Sequence, residues 1–560
     1  MKVVIVDGYV DEPACLGVPP YISPYPRYLA GALRERNILS NDIFYITIDQ
    51  LRTVSVDYRE IIERADIVIV IAGITVPGKY LRASPIKSSE IENIFKAASG
   101  TKVLGGPIRL GFSKEGGRSA SKIGIDEEDV VLAQGDVEAL VYDLFQNNSH
   151  FCNPEKVEHR FRTVEEVARW AVKGTFIIKQ HPDYPHLMCE LETYRGCGRK
   201  KHCSFCTEPF YGASDYRAVQ DVISEVSALY AAGARYFRIG RQPDLFTYHG
   251  VDKGGDILEP NPDIIDSLYR GIRNAAPKLR VLHMDNANPA TIAEFPDRCR
   301  EIMKTIIKFH TPGDVAALGM ESADPSVVIA NSLKAMPDDV FDAIKLINDV
   351  GAARGENGLP ELLPGLNYVH GLRAETKKTF EMNYDFLKRV LESGLLVRRI
   401  NIRQVMAFPG TMMYGNDTLV KKNKKQFLKY KEMVRRDIDL PMLRRIVPTG
   451  TVLRDVMCEV SNNITFGRQL GSYPILVGVP EKLQTGKFMD VTVTGHGHRS
   501  ITGIPYPLEI NHASFSLIKE LPGVGKKRAV EILRGVPYED EEDFIKRIDN
   551  GNELIRHIVI

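Results

Sequence analysis

Short apolar runs alternate with helical periodicity over the first 150 of the 560 residues. Five β-branched runs predict strands, at 3–7, 43–48, 67–71, 103–104 and 130–133. Strands that alternate with helices are typical of a doubly wound parallel sheet. We therefore predict an α/β domain over residues 1–150, followed by a connector over residues 151–180 that contains one helix.

The pattern changes three times in the rest of the chain. Residues 181–415 repeat strand–helix units, whose predicted strands lie at 187–193, 235–240, 280–284, 317–321, 366–372 and 399–405. Residues 416–446 form a basic helical linker. Residues 447–508 alternate apolar and polar positions between Gly and Pro turns, which predicts a small OB-like β domain. Residues 509–560 contain two short helices around a glycine turn.

Composition sets broad limits on the kind of protein. Hydrophobic residues make up 44% and charged residues 26% of the chain, which is typical of a soluble globular protein of several domains. The net charge of +1 does not mark the whole chain as a nucleic-acid binder, so local charge must carry that argument. No apolar run of about 20 residues predicts a membrane span. The eight cysteines and the absence of a signal peptide favour a reducing cytoplasm.

Three cysteines near the middle of the chain carry the most specific chemistry. Cys197, Cys203 and Cys206 follow the predicted strand at 187–193 with the spacing C-x5-C-x2-C. Three soft ligands in one loop suit an iron–sulfur cluster. A fourth thiolate would close the cluster, whereas three leave one iron open. Zinc is the alternative, but it requires a second Cys or His pair, and only His202 lies within the loop.

This region resembles the radical S-adenosylmethionine (SAM) enzymes. Their usual spacing is C-x3-C-x2-C, so the first gap here is longer, whereas the aromatic Phe205 before Cys206 fits the family. The resemblance implies that Cys197, Cys203 and Cys206 hold a [4Fe-4S] cluster whose open iron binds SAM. It also implies that residues 181–415 fold as a partial (β/α) barrel.

The resemblance extends to later strands of the predicted barrel. Gly240 stands where the family has Gly-Gly-Glu, and Gln242 and Asp244 are candidates for holding the SAM amino group, or are turn residues. Glu321 and Ser322 resemble the end of the fifth strand of the family, near SAM and substrate. Phe205, Gly240, Gln242, Glu321 and Ser322 are thus the predicted cofactor-binding residues. No catalytic residue can be assigned from the sequence.

The first domain resembles the cobalamin-binding-like domain that precedes many radical SAM methyltransferases. Its glycine turns Gly105-Gly106-Pro107 and Gln134-Gly135-Asp136-Val137-Glu138, and the first helix entered from residues 19–26, carry this resemblance. The usual lower-ligand histidine motif is absent. Cobalamin is therefore a candidate cofactor, and a Rossmann-like scaffold or partner-binding domain is the alternative.

The last third of the chain carries the signs of nucleic-acid binding. The linker is rich in Lys and Arg, and the β domain resembles the TRAM RNA-binding domain. The segment around Leu521-Pro522-Gly523-Val524-Gly525 resembles a helix-hairpin-helix, in which Gly523, Gly525, Lys526 and Lys527 would contact a phosphate. A solvated amphipathic helix and a hairpin that only packs are the alternatives.

The chain as a whole resembles an archaeal type of radical SAM protein that ends in a helix-hairpin-helix. We expect an enzyme that cleaves SAM and methylates or methylthiolates tRNA or rRNA, with an electron donor such as ferredoxin or flavodoxin. The competing hypothesis is a protein or small-molecule substrate, with the C-terminal modules as interaction domains. A DNA-binding protein with a structural cluster is the third, and it leaves the SAM-strand motifs unexplained.

Overall fold

The fold was analysed in a computed structural model of the full chain. The structure describes residues 1–10, 20–53, 56–73, 81–113, 116–124, 129–146, 150–152, 154–416 and 418–560. In this described part of the chain, no helix is long and apolar enough to cross a membrane.

The N-terminal domain is built on a sheet of five parallel strands. The strands lie side by side in the order Ile43–Thr47, Val3–Asp7, Ile67–Ile71, Thr101–Gly105 and Val131–Leu132. Its helices are Pro24–Glu35, Ile48–Arg52, Val56–Glu63, Ser88–Ala97 and Val137–Leu144.

The sheet is buried on both faces. Val3 and Ile5 point into one hydrophobic core, whereas Val4 and Val6 point into another. A parallel strand covered on both sides reads as a continuous apolar run, which explains why the sequence signal was strong here. The predicted doubly wound parallel sheet is confirmed.

Residues 181–415 form an open parallel barrel of six strands. The strands are Met188–Glu192, Tyr236–Gly240, the split strand Val281–His283 and Asn286–Ala287, then Asp314–Glu321, Leu362–His370 and Arg399–Gln404. Its helices are Val219–Ala231, Pro262–Ala275, Pro289–Glu294, Pro296–Phe309, Pro325–Ala330, Pro337–Gly351 and Lys377–Glu392. In the described residues the first and sixth strands do not pair, so the barrel is partial, as expected.

The C-terminal part contains a helical linker, a β barrel and short helices. The linker helices are Thr418–Lys422, Lys424–Val434 and Leu440–Ile446. A π-helical turn at Arg435–Asp439 joins the second of these to the third. The closed barrel has the order Val452–Ser461, Thr465–Gln469, Leu476–Val479, Ser500–Pro505 and Phe488–His496. The last helices are Phe515–Lys519, Lys526–Gly535 and Glu541–Arg547.

The N-terminal domain contacts both open edges of the partial barrel. The short strand Tyr21–Ile22 pairs in parallel with Met188 and Cys189 of the first barrel strand. At the other edge, the backbone N–H of Ala120 donates to the carbonyl of Ala407 over 2.8 Å. Both edge contacts come from the N-terminal domain, so this domain spans the gap between the first and last barrel strands.

A buried ion network fastens the N-terminal domain to the barrel through the connector. Arg162 of the connector lies 2.8 Å from Glu192 of the first barrel strand and 3.1 Å from Glu138. Asp136 accepts from the Arg162 backbone N–H at 2.8 Å and from Arg195 at 2.6 Å. Burial alone would raise the pKa of Asp136, but Arg162 and Arg195 lower it to about 2. The network therefore depends on Arg162 as its central cation.

Replacing Arg162 should loosen this joint. An Arg162→Ala protein leaves buried carboxylates without their shared partner, which typically costs about 3–5 kcal/mol. We expect a lower midpoint of thermal unfolding and faster proteolysis between the N-terminal domain and the barrel. Arg64→Ala removes only an exposed pair with Glu60 and should change little. Equal behaviour of the two variants would contradict the role given to the network.

Candidate functional site

The cysteine loop, residues 197–206, begins on a small β ribbon just beyond the first barrel strand. Tyr194–Arg195 pairs antiparallel with Asp215–Tyr216, which brings the two ends of the longer loop together. Gly196 has φ +87°, and a Cβ there would lie 2.4 Å from the carbonyl oxygen of Ala213. Its backbone N–H donates to Glu208 over 2.8 Å. Only glycine fits this turn, which starts the loop toward the carboxyl ends of the barrel strands.

The tip of the loop is anchored to later parts of the barrel. The backbone N–H of Ser204 donates to the carbonyl of Asn331 at 3.0 Å, and its hydroxyl donates to the Asn331 side chain at 2.7 Å. The backbone N–H of Met413 donates to the Ser204 carbonyl at 3.0 Å. Ser204 and Asn331 are buried. The loop is therefore fixed to both the fourth and the sixth strand–helix units.

The three thiols are free, half-buried and close enough to influence one another. Arg199 donates to the Cys203 sulfur over 3.5 Å. Burial raises the pKa of the Cys203 thiol, which Lys334 and Arg199 partly lower. Burial also raises the pKa of Cys206, and the nearby Cys203 raises it further. The positive charges of Arg199 and Lys334 are placed to offset thiolate charge.

The fit of a metal group to this loop rests on the chemistry of its donors. Among the described residues, no three His, Cys, Asp or Glu side chains stand in an arrangement that could hold a metal ion. The loop nevertheless offers three soft sulfur donors beside two cations, a set that suits an iron–sulfur cluster better than zinc. Cys197, Cys203 and Cys206 are thus the residues that would hold it.

Glu321 is a buried carboxyl beside these thiols. It ends the fourth of the six barrel strands, which is the position of the predicted strand 317–321. Its backbone is left-handed, with φ 57°, and its Oε2 has no hydrogen-bond partner within the described structure. Burial raises the pKa of Glu321 to about 7, although Lys334 and Arg403 lower it. An orphaned buried carboxyl is a ready acceptor for an ammonium group.

Three other predicted or candidate residues are already satisfied by the protein. The Gln242 amide accepts from Thr193 at 3.3 Å and donates to the Ile239 carbonyl at 3.2 Å. Asp244 accepts from Thr291 at 2.7 Å and from the backbone of Asn288 at 3.1 Å. Ser322 accepts from the backbone of Asp324 at 3.1 Å. Of the two readings of the strand end, the structure favours turn residues for Gln242 and Asp244.

The remaining two predicted residues have structural roles that are visible in the fold. A Cβ on Gly240 would lie 2.3 Å from Oε1 of Glu190, so the close approach of that side chain requires a glycine. Phe205 packs with Cys203 against an apolar cluster that includes Val327 and Val405. Phe205 therefore helps to seat the loop on the barrel.

Lys334 is a site residue that the sequence analysis missed. Its ammonium donates to the Pro243 carbonyl at 3.4 Å, and its charge lowers the pKa of both Cys203 and Glu321. It also lines a small cavity of about 60 Å³ with Cys197 and Asn288. A lone lysine beyond a strand end has no sequence signal, because only the fold brings it to the thiols.

The segment that resembles a helix-hairpin-helix has an open turn. Gly523 has φ +74°, and a Cβ on Gly525 would meet nothing within 4 Å. Gly523, Gly525, Lys526 and Lys527 are all exposed. The turn leads into the helix Lys526–Gly535. The segment is therefore free to approach a phosphate, although nothing in the fold requires it to do so.

Comparison with curated proteins shows the family. No family model matches the chain. The chain is 46% identical to uncharacterized protein MJ0274 of Methanocaldococcus jannaschii over 513 residues, which cover 90% of this chain and 93% of that protein. It is 44% identical to an uncharacterized protein of Archaeoglobus fulgidus over 532 residues, 94% of each chain. The chain belongs to the same family as these two proteins.

Among solved structures, the neighbours include a cobalamin-dependent radical SAM enzyme and a radical SAM methyltransferase. The radical enzyme OxsB, with aqua-cobalamin and SAM bound, has a TM-score of 0.46 and 13% identity, covering 78% of this chain and 56% of that one. The methyltransferase TsrM of Kitasatospora setae, with cobalamin and a [4Fe-4S] cluster bound, also has a TM-score of 0.46, with 14% identity over 74% of this chain and 77% of that one. At this level of similarity, the function must be argued from the residues of this chain.

Proposed function

We propose that this protein is a radical SAM enzyme that adds a methyl or methylthio group to tRNA or rRNA. One observation carries the proposal. An open six-stranded parallel barrel presents three thiols on the loop after its first strand, with an unpartnered buried carboxyl, Glu321, at the end of its fourth strand.

The residues of the site have distinct tasks. Cys197, Cys203 and Cys206 would hold a [4Fe-4S] cluster, which when bound supplies the electron that cleaves SAM to a 5′-deoxyadenosyl radical. Glu321 would accept a hydrogen bond from the amino group of SAM, because its Oε2 has no hydrogen-bond partner in the described structure. Lys334 and Arg199 offset the negative charge of the thiolates. Phe205 packs against an apolar cluster that includes Val327 and Val405 and so helps to hold the loop on the barrel.

RNA is the proposed substrate because basic surfaces lie on the C-terminal part. Lys422, Lys424, Lys425 and Lys429 are exposed on the linker helices, while Phe427 and Tyr430 on the same segment are buried. The helix therefore packs by its apolar face and turns its lysines outward. The open hairpin adds exposed backbone amides and two more lysines. Phosphate contacts of this kind position a nucleic acid without reading its sequence.

The cluster assignment predicts the behaviour of cysteine variants. Protein reconstituted without oxygen should contain iron and sulfide and should convert SAM to 5′-deoxyadenosine when reduced. Serine at Cys197, Cys203 or Cys206 should abolish SAM cleavage and lower the iron content, because a cluster ligand is lost. Cys152→Ser is the matched control, since this thiol is free but lies outside the loop. Undiminished cleavage in the triple variant would exclude the assignment.

The RNA assignment is tested by nucleosides from a strain that lacks the protein. Mass spectrometry should show one modified tRNA or rRNA nucleoside missing from the deletion strain and restored by the wild-type gene. Lys526→Glu with Lys527→Glu should restore it poorly and should flatten the salt dependence of RNA binding by about one unit per lost phosphate contact. Lys546→Glu, an exposed lysine on a different helix of the module, is the control.

An unchanged nucleoside profile would contradict the RNA substrate and would favour the second candidate, a protein or small-molecule substrate. Full restoration by the double variant would assign the hairpin to packing instead of RNA binding.

Cobalamin binding by the N-terminal domain is a further part of the proposal. The strand order places a crevice at the carboxyl edge of the sheet, where ligands of doubly wound folds bind. Gly105 and Gly106 do not argue for cobalamin binding, because the protein's own packing requires them. A Cβ on Gly105 would meet Val137 at 2.3 Å, and one on Gly106 would meet the Ala72 carbonyl at 2.7 Å. Glu138 lies 3.1 Å from the Arg162 guanidinium, but neither of its carboxyl oxygens makes a hydrogen bond in the described structure. Part of the edge, with residues 11–19 and 74–80, lies outside the described residues.

Anaerobic incubation with hydroxocobalamin followed by desalting tests this part. The proposal predicts corrinoid absorbance in the protein fraction, with no histidine of this domain as cobalt ligand. A protein fraction free of corrinoid would make the domain a scaffold and would remove cobalamin as the methyl carrier.

A further inference from the structure

A cavity of about 360 Å³ opens at the gap between the two edges of the partial barrel. Tyr21 lines it from the first edge, and Arg398, Arg399 and Arg403 line it from the last strand and the residue before it. Asp439 of the helical linker and Arg499 of the β domain complete the mouth. Four parts of the chain therefore meet at one opening.

The charge of this cavity is strongly positive. Within the described structure, Arg398, Arg399, Arg403 and Arg499 have no carboxylate at ion-pair distance, and Asp439 is the only acidic residue in the lining. Two further arginines of the lining have acidic partners: Arg82 pairs with Asp183 and Glu459, and Arg468 pairs with Glu459. The four guanidinium groups around this space repel one another. Asp439 offsets only part of their charge, and a bound anion would offset more.

The arginines are held in place before any ligand arrives. Arg398 donates to the Tyr473 carbonyl over 2.7 Å, and the guanidinium of Arg399 lies 4.1 Å from the centre of the Tyr473 ring. Tyr473 is itself fixed, because its hydroxyl donates to Asp285 at 2.6 Å. Burial, together with the charge of neighbouring arginines, lowers the pKa of Arg398 and of Arg399 to about 10. The protein thus maintains an unfavourable group of cations in a rigid frame.

The positive charge continues in both directions from the cavity. Toward the barrel interior, Arg403 lies close enough to Glu321 to lower its pKa. Toward solvent, burial lowers the pKa of Lys431 on the basic linker helix, and Arg435 and Arg499 lower it further. His498, in the mouth, contacts the carbonyl of Arg435 at 3.2 Å. These basic side chains form a path from the linker helix to the lining of the cavity, and Arg403 of that lining is near enough to Glu321 to influence it.

We propose that this arginine cavity binds backbone phosphates of an RNA strand and so places one nucleotide of that strand at the thiol loop. A single small anion would use the cavity but would leave the basic path along the linker helix without a role. Guanidinium groups suit phosphate oxygens because they donate in a planar fork. That the bound strand is the substrate rests on the proposed function, whereas phosphate binding rests on the cavity alone.

The test measures how tightly the full-length reconstituted protein binds a short single-stranded RNA. Binding is detected by fluorescence anisotropy, and inorganic pyrophosphate is added as a competitor. Arg399→Gln and Arg499→Gln should each weaken RNA binding about tenfold, the loss of one charged hydrogen-bonding partner. Arg270→Gln removes an exposed arginine, paired with Asp266 on a barrel helix, and should leave binding unchanged. SAM cleavage without RNA is measured in the same samples.

The Asp439→Asn variant distinguishes an electrostatic effect on RNA binding from a loss of binding caused by misfolding. Burial raises the pKa of Asp439 to about 6, so the side chain is ionised at pH 7.5 and opposes an anion. Its neutralisation should tighten RNA binding several-fold, which a merely damaged fold would not do.

The outcomes are distinct. Weaker binding in the arginine variants, tighter binding in Asp439→Asn and displacement by pyrophosphate support the proposal. Pyrophosphate binding that RNA cannot displace would overturn it in favour of a small organic phosphate. Equal loss in Arg270→Gln, or no binding at low salt, would also overturn it. Failure of SAM cleavage with intact RNA binding would instead refute the proposed function and leave the cavity assignment standing.

Discussion

The open edges of the partial barrel are the constraint on which the rest of the structure depends. A parallel sheet that does not close leaves two rows of unpaired backbone groups, which must be covered. Tyr21–Ile22 pairs with the first edge, and Ala120 contacts the last at Ala407. Tyr473, from the β domain, enters the remaining gap and reaches Asp285 at the end of the split third strand. The domain arrangement follows from how this gap is filled.

Covering the edges also sets where chemistry can occur. The interior near the first three strands is occupied by ion pairs of Arg238 with Glu190 and Asp285. Space remains at the carboxyl ends, beside the cysteine loop and Glu321, and at the gap lined by arginines. A molecule that enters through the gap would pass residues of the N-terminal domain, the barrel, the linker and the β domain.

The sequence predicted the parts of the fold that follow from local pattern. Parallel strands that are buried on both faces have continuous apolar sequences, so the N-terminal sheet and the barrel strands were predicted. The spacing of the three cysteines indicated that they share one loop. Contacts over long sequence distances were not predictable. Lys334 beside the thiols, Arg162 between three carboxylates and the arginine cavity all depend on tertiary packing. Gln242 and Ser322 make hydrogen bonds within the protein, and their part in cofactor binding stays a prediction.

The central claim is that the three thiols hold a cluster with one open iron that binds SAM directly. Electron paramagnetic resonance of the reduced, reconstituted protein, recorded with and without SAM, tests it most directly. The account predicts a signal from a reduced [4Fe-4S] cluster whose shape changes when SAM is added, and no such signal when Cys203 is replaced by serine. A cluster signal that is identical with and without SAM would contradict the account, because it would mean that no iron is open to the cofactor.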